Sequence, residues 1–345
     1  MSTSTAWSLP FSIGVFLFAS LLILVFGVLM TRVAVRLAEL SGLGETLIGA
    51  LLLGASTSLP EIATSLTAAR DGHADLAVSN AVGSIAGQTA FLALADMAYR
   101  RANLEHAAAS AENLLLASFL IVMLSFPLLG LALPEAAIGG IHPASWLMLL
   151  AYGQGIRMVS GAHARPMWLP RRTRETREEP SEVMKSGDSS LGSLWLRFAL
   201  AAGITALAGW LLARAAVPIS LHTGLSQTLV GGVLTGLAGS LPELVTALAA
   251  VRMGALSLAV GDILGGNCFD ALIVGFSDLA YPGASIYAAA GPQQDFLLAL
   301  TVLLSAVLLM GLVYREKHGV ANIGLESFLM LLFYVGGIAL LLTAG

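Results

Sequence analysis

One stretch of this chain occurs twice. Residues 54–99 and 236–281 align without a gap at an offset of 182, and 17 of the 46 aligned positions are identical. The shared positions include Ser58-Leu59-Pro60-Glu61 against Ser240-Leu241-Pro242-Glu243, Thr64 against Thr246, Gly83 against Gly265, and Asp96 and Tyr99 against Asp278 and Tyr281. Each copy sets a Pro-Glu pair inside an apolar run long enough to cross a membrane. An ionisable residue there costs about 2.5 kcal/mol or more and marks a functional position. Two such pairs in equivalent places make the repeat itself the candidate site.

The environment of that repeat follows from composition. The 345 residues are 57% hydrophobic and 11% charged, with a mean hydropathy of +0.85, against roughly 25% charged residues in soluble domains. The expectation is an all-α polytopic membrane protein. A single cysteine, Cys268, excludes an intramolecular disulfide and a thiolate metal cluster. A net charge of -4 gives no basis for nucleic-acid binding. Residues 1–10 lack a basic n-region, and the run 11–30 is long enough to span, so it reads as a retained first helix.

Apolar segments of spanning length fall at 11–35, 43–69, 74–99, 103–131, 136–159, 194–216, 221–251, 255–281, 294–313 and 323–344. Ten segments in two sets of five predict a first half (1–159) carrying the first repeat, a cytoplasmic linker (160–193) and a second half (194–345) carrying the second. With both termini outside, all basic residues but Arg70 and Arg214 lie at the cytoplasmic face, which is the positive-inside pattern of an inner (plasma) membrane protein. Five segments per half is an odd number, so the second repeat enters the membrane from the opposite side. Two inverted five-helix repeats are the architecture of many secondary transporters, in which broken helices meet near the midplane.

The break comes from proline. Pro60 and Pro242 lack an N–H and push the preceding residue away from helical geometry, so the second and seventh segments should each break before their Glu. Carbonyls exposed there need a partner, and a hard cation is suitable. Glu61 and Glu243 follow the breaks, with Thr57, Ser58 and Ser240 around them. The third and eighth segments supply the facing groups: Asn80, Ser84 and Gln88 share one helical face, as do Asp262, Gly266 and Asp270. Gly83 and Gly265-Gly266 read as places of close helix approach. Asp270 lies about 22 Å along its helix, inside the membrane. Asp262 is shallower and fits an access path or a cap as well as a ligand. Asp96 and Asp278, near the segment ends, read as interfacial caps.

The inventory is oxygen only, which selects ions such as Ca²⁺ or Na⁺ over Zn²⁺ or Cu⁺ and calls for no cofactor. Buried carboxylates without a buried Arg or Lys need compensating charge. One divalent ion, or several monovalent ions or protons, supplies it equally well, and that equivalence is the physical basis of exchange. An intramembrane enzyme would need a nucleophile–base pair or an HExxH helix, and the repeat holds neither.

These residues resemble the two alpha-repeats of the cation/calcium exchanger superfamily, which includes sodium/calcium exchangers. The family pattern G-[ST]-S-x-P-E is similar to Gly54 through Glu61 and to Gly239-Ser240-Leu241-Pro242-Glu243; G-S-N-x-x-[ND] is matched in part by Gly83-Ser84-Ile85-Ala86-Gly87-Gln88 and Gly265-Gly266-Asn267-Cys268-Phe269-Asp270. The resemblance implies a sodium/calcium exchanger-like fold of ten transmembrane helices. It implies antiport of Ca²⁺ against Na⁺ or H⁺ by alternating access, the first and sixth helices sliding over the bundle. The expected ion ligands are Glu61, Glu243, Asp270, Ser58, Ser240, Ser84, Gln88, Thr57 and Asp262, in a monomer whose partners are inorganic cations and the lipid bilayer. Departures are Ile85 for Asn, Gln88 for Asn or Asp, Gly239 for Thr and Gly266 for Ser. A passive cation channel and a transport-dead regulatory homologue are the alternatives.

Overall fold

The computed structural model describes residues 7–41, 55–99, 102–134, 136–164, 171, 173, 191–282, 285–317 and 324–344. Within these, α1 (Leu9–Ser41), α2 (Leu59–Arg70), α3 (Ala74–Ala98), α4 (Leu104–Ala108), α5 (Ala111–Ala132) and α6 (Pro143–Ala164) form the first half. The second half holds α7 (Leu191–Thr223), α8 (Gln227–Gly239, π-helical over Val230–Thr235), α9 (Leu241–Arg252), α10 (Leu256–Ala280), α11 (Ile286–Ala289), α12 (Pro292–Tyr314) and α13 (Leu325–Ala344). The offset of 182 seen in the repeat extends to the helix boundaries: α1 and α7, α2 and α9, and α3 and α10 begin and end at equivalent residues.

Seven of the described helices are long and apolar enough to cross a membrane, and α8 with α9, bent by 47°, make a further broken span. The second predicted segment falls partly on 43–54, outside the described residues, and so does most of the polar stretch 160–193. α1 and α7 are 33 residues each, about 50 Å at 1.5 Å per residue and more than a bilayer core of roughly 30 Å, so a helix of this length must tilt or emerge. They pack along one another and turn Phe11, Leu17, Phe18, Leu196, Leu200 and Leu207 outward. α3 and α10 are the reverse. Both are buried over most of their length, and α3 buries Ser79, Asn80, Ser84, Gln88 and Thr89 at the centre of the molecule.

Small residues allow this centre to close. A Cβ on Gly83 would run into the backbone of Gly232, so α3 and α8 meet backbone to backbone. The hairpins after α2 and α9 end alike. Gly72 (φ +83°) and Gly254 (φ +82°) take the left-handed conformation, and His73 N–H reaches the Ala68 carbonyl as Ala255 N–H reaches that of Ala250. These are Schellman closures that a residue with a Cβ would strain.

The run 136–159 becomes helical only at Pro143 and continues to Ala164, into the predicted linker 160–193, and three further segment readings need correction. The run 103–131 is two helices, α4 and α5, because Ser110 caps the second by accepting from Asn113 N–H at 3.0 Å. The run 221–251 opens with the last turn of α7, and its broken span starts only at α8, where Ser226 accepts from Leu229 N–H. α1 and α7 outrun their predicted limits because polar residues at a helix end that leaves hydrocarbon do not stop it.

Candidate functional site

Both breaks have the same backbone. Ser58 (φ −81°, ψ 4°) precedes α2, and Ser240 (φ −87°, ψ 9°) precedes α9, with proline as the second residue of each helix. Proline is preorganised for a helical first turn and cannot donate to the carbonyl four residues earlier. The preceding helical turn therefore stops, and the new helix starts at an angle with its Glu in the first turn. A carboxylate is favourable at that end of the helix dipole.

The two breaks face each other across α3 and α10. Glu61 is fully buried and its Oε1 accepts from Ser240 Oγ at 2.9 Å. Gln88 Nε2, on α3, donates to Ser240 Oγ at 3.0 Å and to Asp270 Oδ2, on α10, at 2.9 Å. Ser58 hydrogen-bonds Asp270 in turn. Ser58 with Asp270 and Ser240 with Gln88 are the same pair under the 182-residue offset. Glu243 is 5% exposed and feels the like charges of Glu61, Asp270 and, most weakly, Asp262.

What these bonds leave over decides the chemistry. Glu61 Oε2, Glu243 Oε2, Asp270 Oδ1, Gln88 Oε1 and Asn267 Oδ1 are buried without a hydrogen-bond partner. Every one is an acceptor. An unsatisfied buried polar atom costs about 1–3 kcal/mol and more when charged, and the group that satisfies several oxygens at once is a cation. Among the described residues, no three His, Cys, Asp or Glu side chains converge closely enough to cage a metal ion by themselves. An ion here would draw on the Gln88 amide and the serine hydroxyls as well as on carboxylates.

Seven of the residues expected from the sequence are brought together: Glu61, Glu243, Asp270, Ser58, Ser240, Gln88 and Thr57, whose Oγ1 lies 4.0 Å from the Cβ position of Gly266. Ser84 is buried but donates to the Ala81 carbonyl of its own helix at 2.8 Å. Asp262 is half-buried, and among the described residues no hydrogen bond joins it to these seven. Asn267 was not singled out as a ligand; it donates to Thr89 Oγ1 at 3.2 Å and keeps its own carbonyl oxygen spare. The signal was its place three residues before Asp270, on the same helical face. Asn80 has a different use. It donates to the Glu61 carbonyl and Ser65 Oγ and accepts from Thr235 Oγ1, tying the α2 break to α3 and α8.

Two glycines separate sharply. A Cβ on Gly239 would come within 2.8 Å of Glu61 Oε1, so the carboxylate occupies the space a threonine would need. Gly266, expected at a close helix contact, is not at one: its nearest neighbours are Gln88 Oε1 at 3.8 Å and Thr57 Oγ1 at 4.0 Å. It lines the site, with room for a small side chain.

The model of the sodium/calcium exchanger protein family matches residues 11–157 and 193–343. The CaxA protein of Alkalimonas amylolytica is 29% identical over 314 residues, 88% of this chain and 90% of that protein. Inner membrane protein YrbG of Escherichia coli (strain K12) is 30% identical over 244 residues, 70% of this chain and 71% of its own. Among solved structures, the H⁺/Ca²⁺ exchanger CAX superposes with a TM-score of 0.68 at 15% identity, covering 96% of this chain and 86% of that one. The sodium-calcium exchanger NCX_Mj gives a TM-score of 0.57 at 21% identity, covering 96% and 99%.

Proposed function

This chain belongs to the sodium/calcium exchanger protein family, and from that premise we propose that it is a secondary antiporter exchanging Ca²⁺ for Na⁺ or H⁺ by alternating access. The family transports cations across membranes and is not one of catalytic enzymes. The observation that carries the reading is the set of partnerless buried oxygens on Glu61, Glu243, Asp270 and Gln88. Three carboxylates in a buried site need about two or three positive charges. The ion pair of Arg214 with Asp71, at 3.4 Å, is largely exposed and serves none of them.

In this reading Glu61, Glu243 and Asp270 carry the charge, and Ser58, Ser240, Thr57 and Gln88 supply neutral oxygens. Ser84 and Asp262 lie at the edge. The plan is ten transmembrane helices in two inverted halves, both termini extracytoplasmic. α1 and α7 would slide across the breaks. Gly27 lies against Pro242 and Gly209 against the Pro60 carbonyl, equivalent contacts in the two halves. Small residues at both crossings suit such a sliding surface.

Ca²⁺ flux into vesicles holding purified protein tests this. Uptake driven by an outward Na⁺ or H⁺ gradient, and abolished without a counter-ion, is expected. Flux that needs no counter-ion would make the protein a passive channel, and no flux with intact ion binding would make it a transport-dead homologue.

A further inference from the structure

The 182-residue offset reaches past the ion site to two junctions at the ends of α3 and α10, where Glu105 in one copy stands in the place of Tyr287 in the other. At the end of α10, Asp278 Oδ1 accepts from Ile286 N–H at 2.9 Å. Its Oδ2 accepts from His142 N–H at 2.8 Å and from Ser145 Oγ at 2.8 Å. Tyr287 Oη stands 3.2 Å from Ser145 Oγ. The serine proton is committed to Asp278, which leaves Ser145 Oγ to accept from the phenol; Met148 Sδ, at 3.9 Å, is a second acceptor for that phenol proton. Burial pushes Tyr287 ionisation up, which keeps that proton in place.

At the end of α3 each member has its equivalent. Asp96 Oδ1 accepts from Leu104 N–H at 2.6 Å and its Oδ2 from Gly324 N–H at 3.0 Å. Ser327 replaces Ser145 and hydrogen-bonds both Asp96 and Glu105 Oε1, the latter at 2.7 Å. Glu105 stands where the other copy has Tyr287. A hydroxyl has one proton, and it cannot satisfy two ionised carboxylates. Both oxygens of Asp96 already accept a backbone N–H, so the second proton falls to Glu105, at the position Tyr287 holds in the other copy. Glu105 is 2% exposed, and its Oε2 has no hydrogen-bond partner. That atom points into the junction, 3.4 Å from the Cβ position of Gly324.

We propose that Glu105, Ser327 and Asp96 form a proton-binding site, separate from the ion site, whose occupancy fastens α4 and the start of α13 to the end of α3. When Glu105 is ionised the junction loosens.

The groups facing Glu105 agree with this. Asp96 on α3 and Glu326 on α13 act on it as like charges, and the Glu105 and Glu326 side chains lie together over Gly311 of α12. Arg315, just after α12, turns its guanidinium to the carbonyls of Arg171 and His106. His106, on α4 itself, is engaged with the Arg315 carbonyl and Thr173 Oγ1. The neighbouring Lys317 and Asn103 join backbone to backbone, and Asn103 Nδ2 donates to the carbonyl of Glu316. α10, which also packs on α4, contributes no charge that acts on Glu105.

Burial, then the charge on Asp96, pushes the Glu105 carboxyl up to about 8 from 4.5. In the opened junction the group ionises near its ordinary value. The closed junction therefore binds the proton more tightly, and its extra stability is complete below about 4.5 and lost as pH rises to about 8.

Infrared difference spectroscopy of the protein in lipid vesicles, taken roughly two pH units either side of 8, tests the site. A protonated carboxyl C=O band should disappear with a midpoint near 8 in wild type and be missing from Glu105→Gln. Hydrogen exchange of the Leu104 and Gly324 amides in wild type, which needs no variant, should accelerate beyond its intrinsic pH dependence over the same range. The proposal is overturned if no band titrates there, if the band survives in Glu105→Gln, or if the two amides keep their intrinsic dependence. It is equally overturned if Glu105→Gln binds one Mn²⁺ fewer than wild type, since the junction would then be a cation site.

Discussion

The two helix breaks are alike in backbone and unlike in what surrounds them. Ser58 and Ser240 differ by 6° in φ and 5° in ψ, because the same Ser-x-Pro-Glu run sets both. Around the first break the matching positions hold Thr57, Ser84 and Gln88; around the second they hold Gly239, Gly266 and Asp270. Proline and glycine fix a shared geometry, and the departures from symmetry fix the charge and the room. Gln88 opposite Asp270 leaves the site with three carboxylates where full symmetry would give four or two. Gly239 leaves space that the Glu61 carboxylate fills, whereas Gly266 leaves space beside Gln88 and Thr57.

The largest effect should come from the part the halves share. Glu61→Gln and Glu243→Gln are each expected to abolish Ca²⁺ binding, measured on purified protein, since either removes a full charge and a partnerless oxygen. Loss from one variant only would break the equivalence of the two breaks.

Next comes the charge asymmetry. Asp270→Asn should weaken Ca²⁺ binding at least about tenfold, or about 1.4 kcal/mol, and Gln88→Asp in the same protein should restore most of it. The two positions hydrogen-bond each other, so exchanging their charge moves it by little. A double variant as weak as Asp270→Asn would show that the halves contribute in different ways.

The glycines should then separate. Gly239→Thr must displace Glu61 and should lower Ca²⁺ affinity several-fold. Gly266→Ser fits without a clash and should raise apparent Na⁺ affinity in flux assays, by placing a hydroxyl beside Gln88 Oε1 and Thr57 Oγ1. Steep, cooperative Na⁺ dependence already present in wild type would contradict the idea of a weakened monovalent site.

The smallest effect belongs to a contact with no equivalent in the other half. Arg214 pairs with Asp71 and lies 5.6 Å over Trp210; the matching positions are Arg32 and Met253. Asp71→Asn should change thermal stability by less than about 1 kcal/mol, as for exposed pairs generally.

How much of this could be read from sequence follows from the range of each cause. The breaks at Pro60 and Pro242 and the burial of both glutamates are local consequences of proline and of an apolar run, and they were legible. The division of 103–131 into α4 and α5 was not, because Ala and Leu continue on both sides and only the Ser110 cap marks it. Gly266 was misread because close approach depends on what stands opposite: Gly83 meets Gly232, and Gly266 meets side-chain oxygens of the site. Ser84 is expected as a ligand from its place on the α3 face, and its proton goes to the Ala81 carbonyl, a bond that helical serines make and sequence alone does not show. The equivalence of Glu105 and Tyr287 lay outside the aligned stretch and shows only in hydrogen bonds to Ser327 and Ser145.

The central claim is that partnerless oxygens of Glu61, Glu243, Asp270 and Gln88 form a cation site. Titration calorimetry of the purified protein with Ca²⁺, with and without Na⁺, and of Glu243→Gln beside it, addresses this most directly. The expected result is saturable Ca²⁺ binding that Na⁺ competes away and that the variant lacks. Ca²⁺ binding of unchanged affinity in Glu243→Gln, or none in wild type, would contradict it.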